Sequence, residues 1–217
     1  MKVLGLDPSL TSFGWCYVDT SKEGKDRLIE KGVFKTTTKQ VFVDRYVFLR
    51  TELSKLIKRL NPDKIGQESS VFNATQSEAM YAVFINTCEA VRECSKDLVL
   101  LTPSQVKGHA RLVLERPKGW KMEKADMVEA ARQETGGKGR WKHDEADAYW
   151  IATIAGRFWK YQAGQLPDID LTDVERHQFA RQHTFTRGKK AGQTERTGLI
   201  FRGGDRFFQW SKEGKSS

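Results

Sequence analysis

Four carboxylates carry the chemistry this sequence could do: Asp7, Glu68, Asp144 and Asp147. Asp7 closes the short apolar run Val3-Leu4-Gly5-Leu6, and Pro8 follows it. Glu68 closes a second short run, Lys64-Ile65-Gly66-Gln67. Asp144 and Asp147 stand three apart in a segment with helical periodicity, so they share a face. Asp147 falls on the stripe of Trp150, Ile151 and Ile154. A carboxylate on such an apolar stripe is costly unless it is paired or holds a cation. Hard oxygen donors of this kind suit Mg²⁺. Two such ions roughly 3.5–4 Å apart can activate a water and stabilise a leaving oxygen in phosphodiester hydrolysis. Each acid also has a plainer reading. Asp7 is a common turn residue, Asp144 suits a helix start through the dipole, and acidic clusters are often only solvated charge. On the residues alone, both readings stand. Glu145 lies about a quarter-turn from its neighbours and is expected to be solvated.

The elements that must position these acids follow from the pattern. Val3–Asp7 is too short for a helix and long enough for a buried strand. Pro8 lacks a donor and ends the pairing. If this strand is central, Asp7 sits at the carboxyl end, where open α/β sheets place ligands. Strands 14–19 and 28–36 follow and complete a meander. Residues 43–60 switch to helical spacing through Tyr46, Leu49, Leu53, Leu56, Ile57 and Leu60. Residues 64–68 return to strand and 76–94 to helix. Residues 98–101 form a fifth strand. Pro103 suits a helix start, and helices are expected over 104–114, 122–134 and 144–159. A further helix is expected over 170–182. The expected fold is α/β, a five-stranded mixed sheet flanked by helices. It comprises residues 1–160, with a basic, aromatic C-terminal extension over 161–217.

The chain has 217 residues, a net charge of +9 and 30% charged residues. A positive balance favours a polyanion such as nucleic acid. No run of eighteen apolar residues exists, so no membrane span is expected, and the opening Met1-Lys2-Val3 lacks a signal-peptide pattern. A cytoplasmic location is the expectation, in the bacterial host if the chain is phage-encoded. Cys16, Cys88 and Cys94 lack metal spacing and read as reduced structural thiols. The four histidines show no zinc pattern.

Several segments resemble the RuvC family of Holliday-junction resolvases, within the ribonuclease H-like superfamily. Leu4-Gly5-Leu6-Asp7-Pro8-Ser9 is similar to its first-strand motif, and Glu68 falls at its second carboxylate. Thr102-Pro103-Ser104-Gln105-Val106-Lys107 resembles the segment ending in Val-Lys, and Glu123 to Val128 resembles a later helix start containing lysine. His143-Asp144-Glu145-Ala146-Asp147-Ala148 matches the closing Asp-x-x-Asp-Ala motif. The resemblance runs in order through about residue 160. It implies a homodimeric crossover-junction endodeoxyribonuclease that nicks four-way junctions and other branched DNA, such as forks. It implies Mg²⁺ or Mn²⁺, two ions per site, on Asp7, Glu68, Asp144 and Asp147, with Lys107 and Lys124 near phosphate. Lys124 is carried into the catalytic set and Lys107 into DNA binding. Phe72 is the nearest match to an aromatic that helps open the junction. Ser9 departs from the pattern, standing where the family has glycine. The stretch between Lys107 and Lys124 is longer than usual and adds Arg111, Arg116, Lys118 and Lys121 as candidate phosphate contacts. The extension has no counterpart in bacterial members, which points to a phage or divergent branch. Its Arg187, Lys189, Lys190, Arg196, Arg202 and Arg206 alternate with Phe185, Phe201, Phe207, Phe208 and Trp210. That mixture suits nucleic-acid binding, and equally a dimerisation or folding element. Two rival functions remain: a nuclease of the same fold acting on flaps, forks or RNA–DNA hybrids, and a non-catalytic nucleic-acid-binding protein.

Overall fold

The computed structural model describes residues 1–69, 78–137 and 139–179, with short pieces between 182 and 201. Its strands and helices follow in the order β1 (Lys2–Asp7), β2 (Ser12–Asp19), β3 (Leu28–Lys35), α1 (Phe42–Leu60), β4 (Lys64–Glu68), α2 (Glu78–Glu93), β5 (Leu98–Leu101), α3 (Pro103–Val113), α4 (Lys124–Glu134), α5 (His143–Gln162), α6 (Asp173–Phe179), β6 (Gln182–Thr184), β7 (Thr194–Arg196) and β8 (Ile200–Phe201). The main sheet runs β3-β2-β1-β4-β5-β8. The meander is antiparallel, β4 and β5 join parallel to β1, and β8 closes the far edge antiparallel to β5. The ribonuclease H-like mixed sheet is thus present. A sixth strand is added to the five expected, because the two residues Ile200 and Phe201 pair with Val99 and Leu98. That segment is too short to carry a period of its own, so no local pattern announced it.

Alternation along the strands sorts the core into two halves. Leu4, Leu6, Ile65, Leu98 and Leu100 face α1 and α2, where Leu49, Leu53, Ile57 and Val83 meet them. Val3, Val99 and Leu101 face the other side, where α3, α4 and α5 pack. Successive side chains on a strand point to opposite faces. Asp7 therefore falls on the face of Val3 and Gly5, and Glu68 on the face of Gly66. Both acids point toward α5.

That helix lies unusually close to the sheet. A Cβ on Gly5 would stand 2.1 Å from the Ala148 carbonyl oxygen, and one on Gly14 would stand 2.1 Å from that of Asp144. On the helix side, Ala148, Ala152 and Ala155 supply the small surface. Glycine is required at these two strand positions because another backbone passes there. The consequence is that the start of α5 sits over Gly14 of β2, beside Asp7 at the end of β1.

The helix ends largely obey local rules. Thr102 caps α3 and forms a capping box with Gln105, with Pro103 at the first position. Residues 170–182 depart from the single helix expected. A 3₁₀ turn over Asp168–Asp170 precedes α6, and β6 then pairs with β7. Leu171 and Phe179 both lie in the core, so the segment is shaped by docking rather than by its own periodicity. Among the described residues, no helix is long and apolar enough to cross a membrane. Cys16 and Cys88 are buried and Cys94 is half-buried, and all three are free thiols.

Candidate active site

The register Leu6↔Gln67 sets Asp7 abreast of Glu68 at the carboxyl ends of two parallel strands. The first two turns of α5 bring Asp144 and Asp147 to the same place. The electrostatics record the convergence. Asp7 is held well above the usual carboxylate range, first by burial and then by repulsion from Glu68, Asp147 and Asp144. Glu68 is pushed up to about 7, by burial first and Asp147 second, while Lys107 and a hydrogen bond with Asp7 pull the other way. Asp147 is raised by burial, and His143, Lys107 and Lys124 oppose that while Asp144 adds to it. Like charges this close cannot all ionise without a compensating cation.

The donor set fits a hard divalent ion, since carboxylate oxygens on rigid elements are what Mg²⁺ and Mn²⁺ accept. Among the described residues, no three acidic, histidine or cysteine side chains already form a metal-holding cage. Mutual repulsion among the acids marks the site. Asp7, Glu68, Asp144 and Asp147 are the residues that would hold it.

Sequence reasoning missed three neighbours. His143 stands 3.2 Å from Asp144 through Nδ1 and 3.1 Å from Asp147 through Nε2, so one ring spans both helix acids. Its spacing to Asp147, four residues on a helix, was the readable signal. The Ser12 hydroxyl donates to Asp144 Oδ2. Lys31 reaches Glu145 Oε2 at 2.5 Å and the Arg140 carbonyl at 2.8 Å, over the Trp141 ring at 4.7 Å. Glu145 is therefore not solvated, as expected from its angle on the helix, but buried at 5% exposure. The same oxygen accepts from the Lys142 backbone N–H at 2.9 Å, which ties down the start of α5. A carboxylate between two site acids is thus a structural staple. Ser9, standing where glycine was expected, accepts from the Ser12 N–H at 3.4 Å and shapes the turn leading to the Asp144 partner.

The basic residues spread around this centre. Lys107 on α3 and Lys124 on α4 are exposed and act electrostatically on the cluster. In the last turn of α3, Arg111 donates to the carbonyl of Arg116 in the loop that follows, at 2.8 Å. The Arg116 guanidinium lies 5.0 Å from the ring centre of Trp120. Lys121 pairs with Glu123 at 3.0 Å, and Lys118 is exposed. Trp120 is itself 46% exposed, an aromatic among cations that the sequence reading did not single out. Phe72 lies outside the described residues, as do Phe185, Arg187, Lys190, Arg202, Arg206, Phe207, Phe208 and Trp210. Lys189 is exposed. Arg196 and Phe201 are placed by their backbones, on β7 and β8.

No family model matches the chain. A stretch of 109 residues is 31% identical to the crossover junction endodeoxyribonuclease RuvC of Finegoldia magna, covering 49% of this chain and 66% of that protein. A stretch of 81 residues is 33% identical to the protein of the same name from Halothermothrix orenii, covering 37% of this chain and 48% of that one. The chain thus spans about half to two thirds of the length of the curated relatives it matches. The Thermus thermophilus RuvC structure superposes with a TM-score of 0.59 at 22% identity, over 76% of this chain and 98% of that one. Its complex with a Holliday-junction substrate superposes at 0.57 and 24% identity, over 76% and 97%. The fold is that of the RuvC structures, ribonuclease H-like.

Proposed function

We propose that this chain, RuvC-like in sequence and fold, is a metal-dependent, structure-selective DNA endonuclease that nicks Holliday junctions and other branched DNA. One observation carries the reading: the alternation of β1 and β4 turns Asp7 and Glu68 toward Asp144 and Asp147 on α5, where the acids repel one another in place. Bound divalent ions, Mg²⁺ or Mn²⁺ and two per site, would supply Lewis acidity toward water and the leaving oxygen. The four carboxylates fix where the positive charge is held. His143 keeps the two helix acids together. Lys107 and Lys124 bring positive charge to the phosphate that approaches the acids, offsetting charge that grows in the transition state. Arg111, Arg116, Lys118 and Lys121 extend the basic surface outward, where phosphate contacts set register along the DNA.

Support for junction DNA comes from the T. thermophilus RuvC complex, whose DNA is a Holliday junction. A homodimer belongs to the same reading. Val41, Phe42, Val43, Val47 and Phe48 of α1 and its approach, with Met80 and Ile85 of α2, leave apolar surface exposed, as association faces do. We assign nicking to residues 1–160, and DNA contact to the extension over 161–217, which is anchored on that unit through Leu171 and Phe179.

The test is direct. Labelled four-way, forked, flapped and linear DNAs are incubated with the protein, with and without Mg²⁺. Symmetric nicks in the four-way DNA that need the metal are expected. Equal cutting of linear DNA, or cutting in the presence of excess chelator, would overturn the proposal.

A further inference from the structure

The loop between α3 and α4 carries an aromatic that the core does not take up. Trp15, Trp141, Trp150 and Trp159 are all buried, whereas Trp120 is nearly half exposed. An indole is a large apolar and π surface, and here the fold leaves it in water. The backbone fixes where it stands. At the end of α3, Glu115 takes the left-handed conformation at φ 52°, and the Arg116 N–H donates to the Arg111 carbonyl at 3.1 Å. That is a Schellman closure. Pro117 to Trp120 then form a β-turn, closed by the Trp120 N–H donating to the Pro117 carbonyl at 3.1 Å. Gly119, at φ 89°, supplies the positive φ that favours glycine at the third position of such a turn. Met122 follows and is buried in the core. The turn is thus pinned by the helix end on one side and by the core on the other.

The surroundings of the ring are cationic, with acids that are largely engaged. The Arg116 guanidinium lies over the indole, 5.0 Å from the ring centre. Residues 111–126 hold five cations, Arg111, Arg116, Lys118, Lys121 and Lys124, against three carboxylates. Glu123 pairs with Lys121 at 3.0 Å. Asp126 accepts the Glu123 N–H at 2.9 Å, and the indole Nε1 faces the same carboxylate oxygen at 3.5 Å. Glu115 is exposed. The positive balance is modest, so charge alone does not define a ligand here, and the aromatic does.

We infer that Trp120, with Arg116 laid over it, is a stacking platform for an unpaired base of the DNA strand that reaches the acid cluster. The inference rests on the DNA reading proposed above and adds what that strand must present. A base within a duplex already has both faces covered, so the platform selects a base out of its pair. Every base has a π-face, so the contact favours single-stranded character over any sequence. Guanidinium planes stack on bases as aromatic rings do, which gives the pair two surfaces of the same kind. Lys124 opens α4 four residues beyond Trp120. A chain spans at most about 3.6 Å per residue, which sets the two Cα atoms within about 14 Å. At about 3.4 Å per nucleotide, the stacked base lies within roughly four nucleotides of the phosphate that Lys124 meets.

The experiment measures binding of the full chain, without divalent ions, to two fluorescein-labelled single strands: a short oligothymidylate, and an abasic deoxyribose-phosphate strand of the same length. Fluorescence anisotropy gives each affinity. Trp120→Ala should weaken oligothymidylate binding roughly tenfold and leave the abasic strand nearly unchanged. Trp120→Phe keeps a ring and should recover most of the loss. Both variants should unfold near the parent temperature, since the side chain is outside the core. Equal weakening of the two strands, or parent affinity in Trp120→Ala, would overturn the platform. Metal-dependent nicking of four-way DNA by the parent chain is measured alongside. A parent that nicks, with an oligothymidylate affinity indifferent to Trp120, refutes the platform and leaves the nuclease reading standing. A tenfold loss in a chain that nicks no branched DNA supports the platform and refutes the nuclease reading instead.

Discussion

Gly14 offers the most quantitative test of how the sheet positions the candidate site. A methyl group there would stand 2.1 Å from the Asp144 carbonyl oxygen, 2.6 Å from its carbonyl carbon and 3.0 Å from its Cβ, whereas ordinary contact begins at 3.4 Å. The obstacle is backbone, not the end of a flexible side chain, so Gly14→Ala must push the start of α5 away by about 1 Å. Overpacking of this kind costs about 2 kcal/mol. For a chain of this size that lowers the unfolding temperature by roughly 4–8 °C. Asp144 moves with the helix while Asp7 and Glu68 stay on the sheet. A displacement of about 1 Å at a catalytic constellation costs on the order of a hundredfold in rate. Gly156→Ala is the control. Its methyl would meet Thr20 Cγ2 at 2.3 Å, near the opposite end of the same helix. It should lower stability comparably and leave the acids where they are. The assay is single-turnover nicking of a four-way junction in saturating Mg²⁺, at a temperature where both variants are folded. Gly14→Ala should be slowed about a hundredfold and Gly156→Ala only a few-fold. Equal slowing of the two, or a wild-type rate in Gly14→Ala with the stability loss present, would refute positioning through this contact.

Asp7→Asn should abolish nicking and leave junction binding nearly unchanged, as gel-shift titration would measure. It should also raise the unfolding temperature of the metal-free protein above neutral pH, because it removes one of the mutually repelling acids. The pH dependence has a definite sign. Glu68 holds its proton to about 7 in the folded state, against an ordinary 4.5. The folded chain therefore binds more protons than the unfolded chain across that window, and its metal-free stability falls as pH rises through it. Mg²⁺ should accordingly raise the unfolding temperature more at pH 8 than at pH 5, and an equal shift at both would count against cation binding by these acids. Lys31→Met leaves Glu145 buried without its cation, which should cost roughly 3 kcal/mol by chemical denaturation. It should also raise the Mg²⁺ concentration needed for half-maximal nicking, since Glu145 lies between Asp144 and Asp147.

Much of this architecture is legible without coordinates. β4 and β5 have the bounds that their apolar runs and flanking turns imply. Asp147 was conspicuous because local periodicity placed a charge on an apolar stripe. Period-two alternation, once the strands are paired, turns Asp7 and Glu68 to one face. These are properties of neighbouring residues, and a linear sequence records neighbours faithfully. Tertiary structure decided what depends on distant partners. Glu145 has the helical angle of a solvated residue, and its fate was settled by Lys31, 114 positions away. His143 was visible as a residue beside the acids, yet its span across both required the helix to be built and the ring to be turned. β8 exists only because β5 offers an unpaired edge. The close seating of α5 on Gly5 and Gly14 rests on the same asymmetry: a glycine in a strand announces room for an approach, and only the packed fold says which backbone fills it.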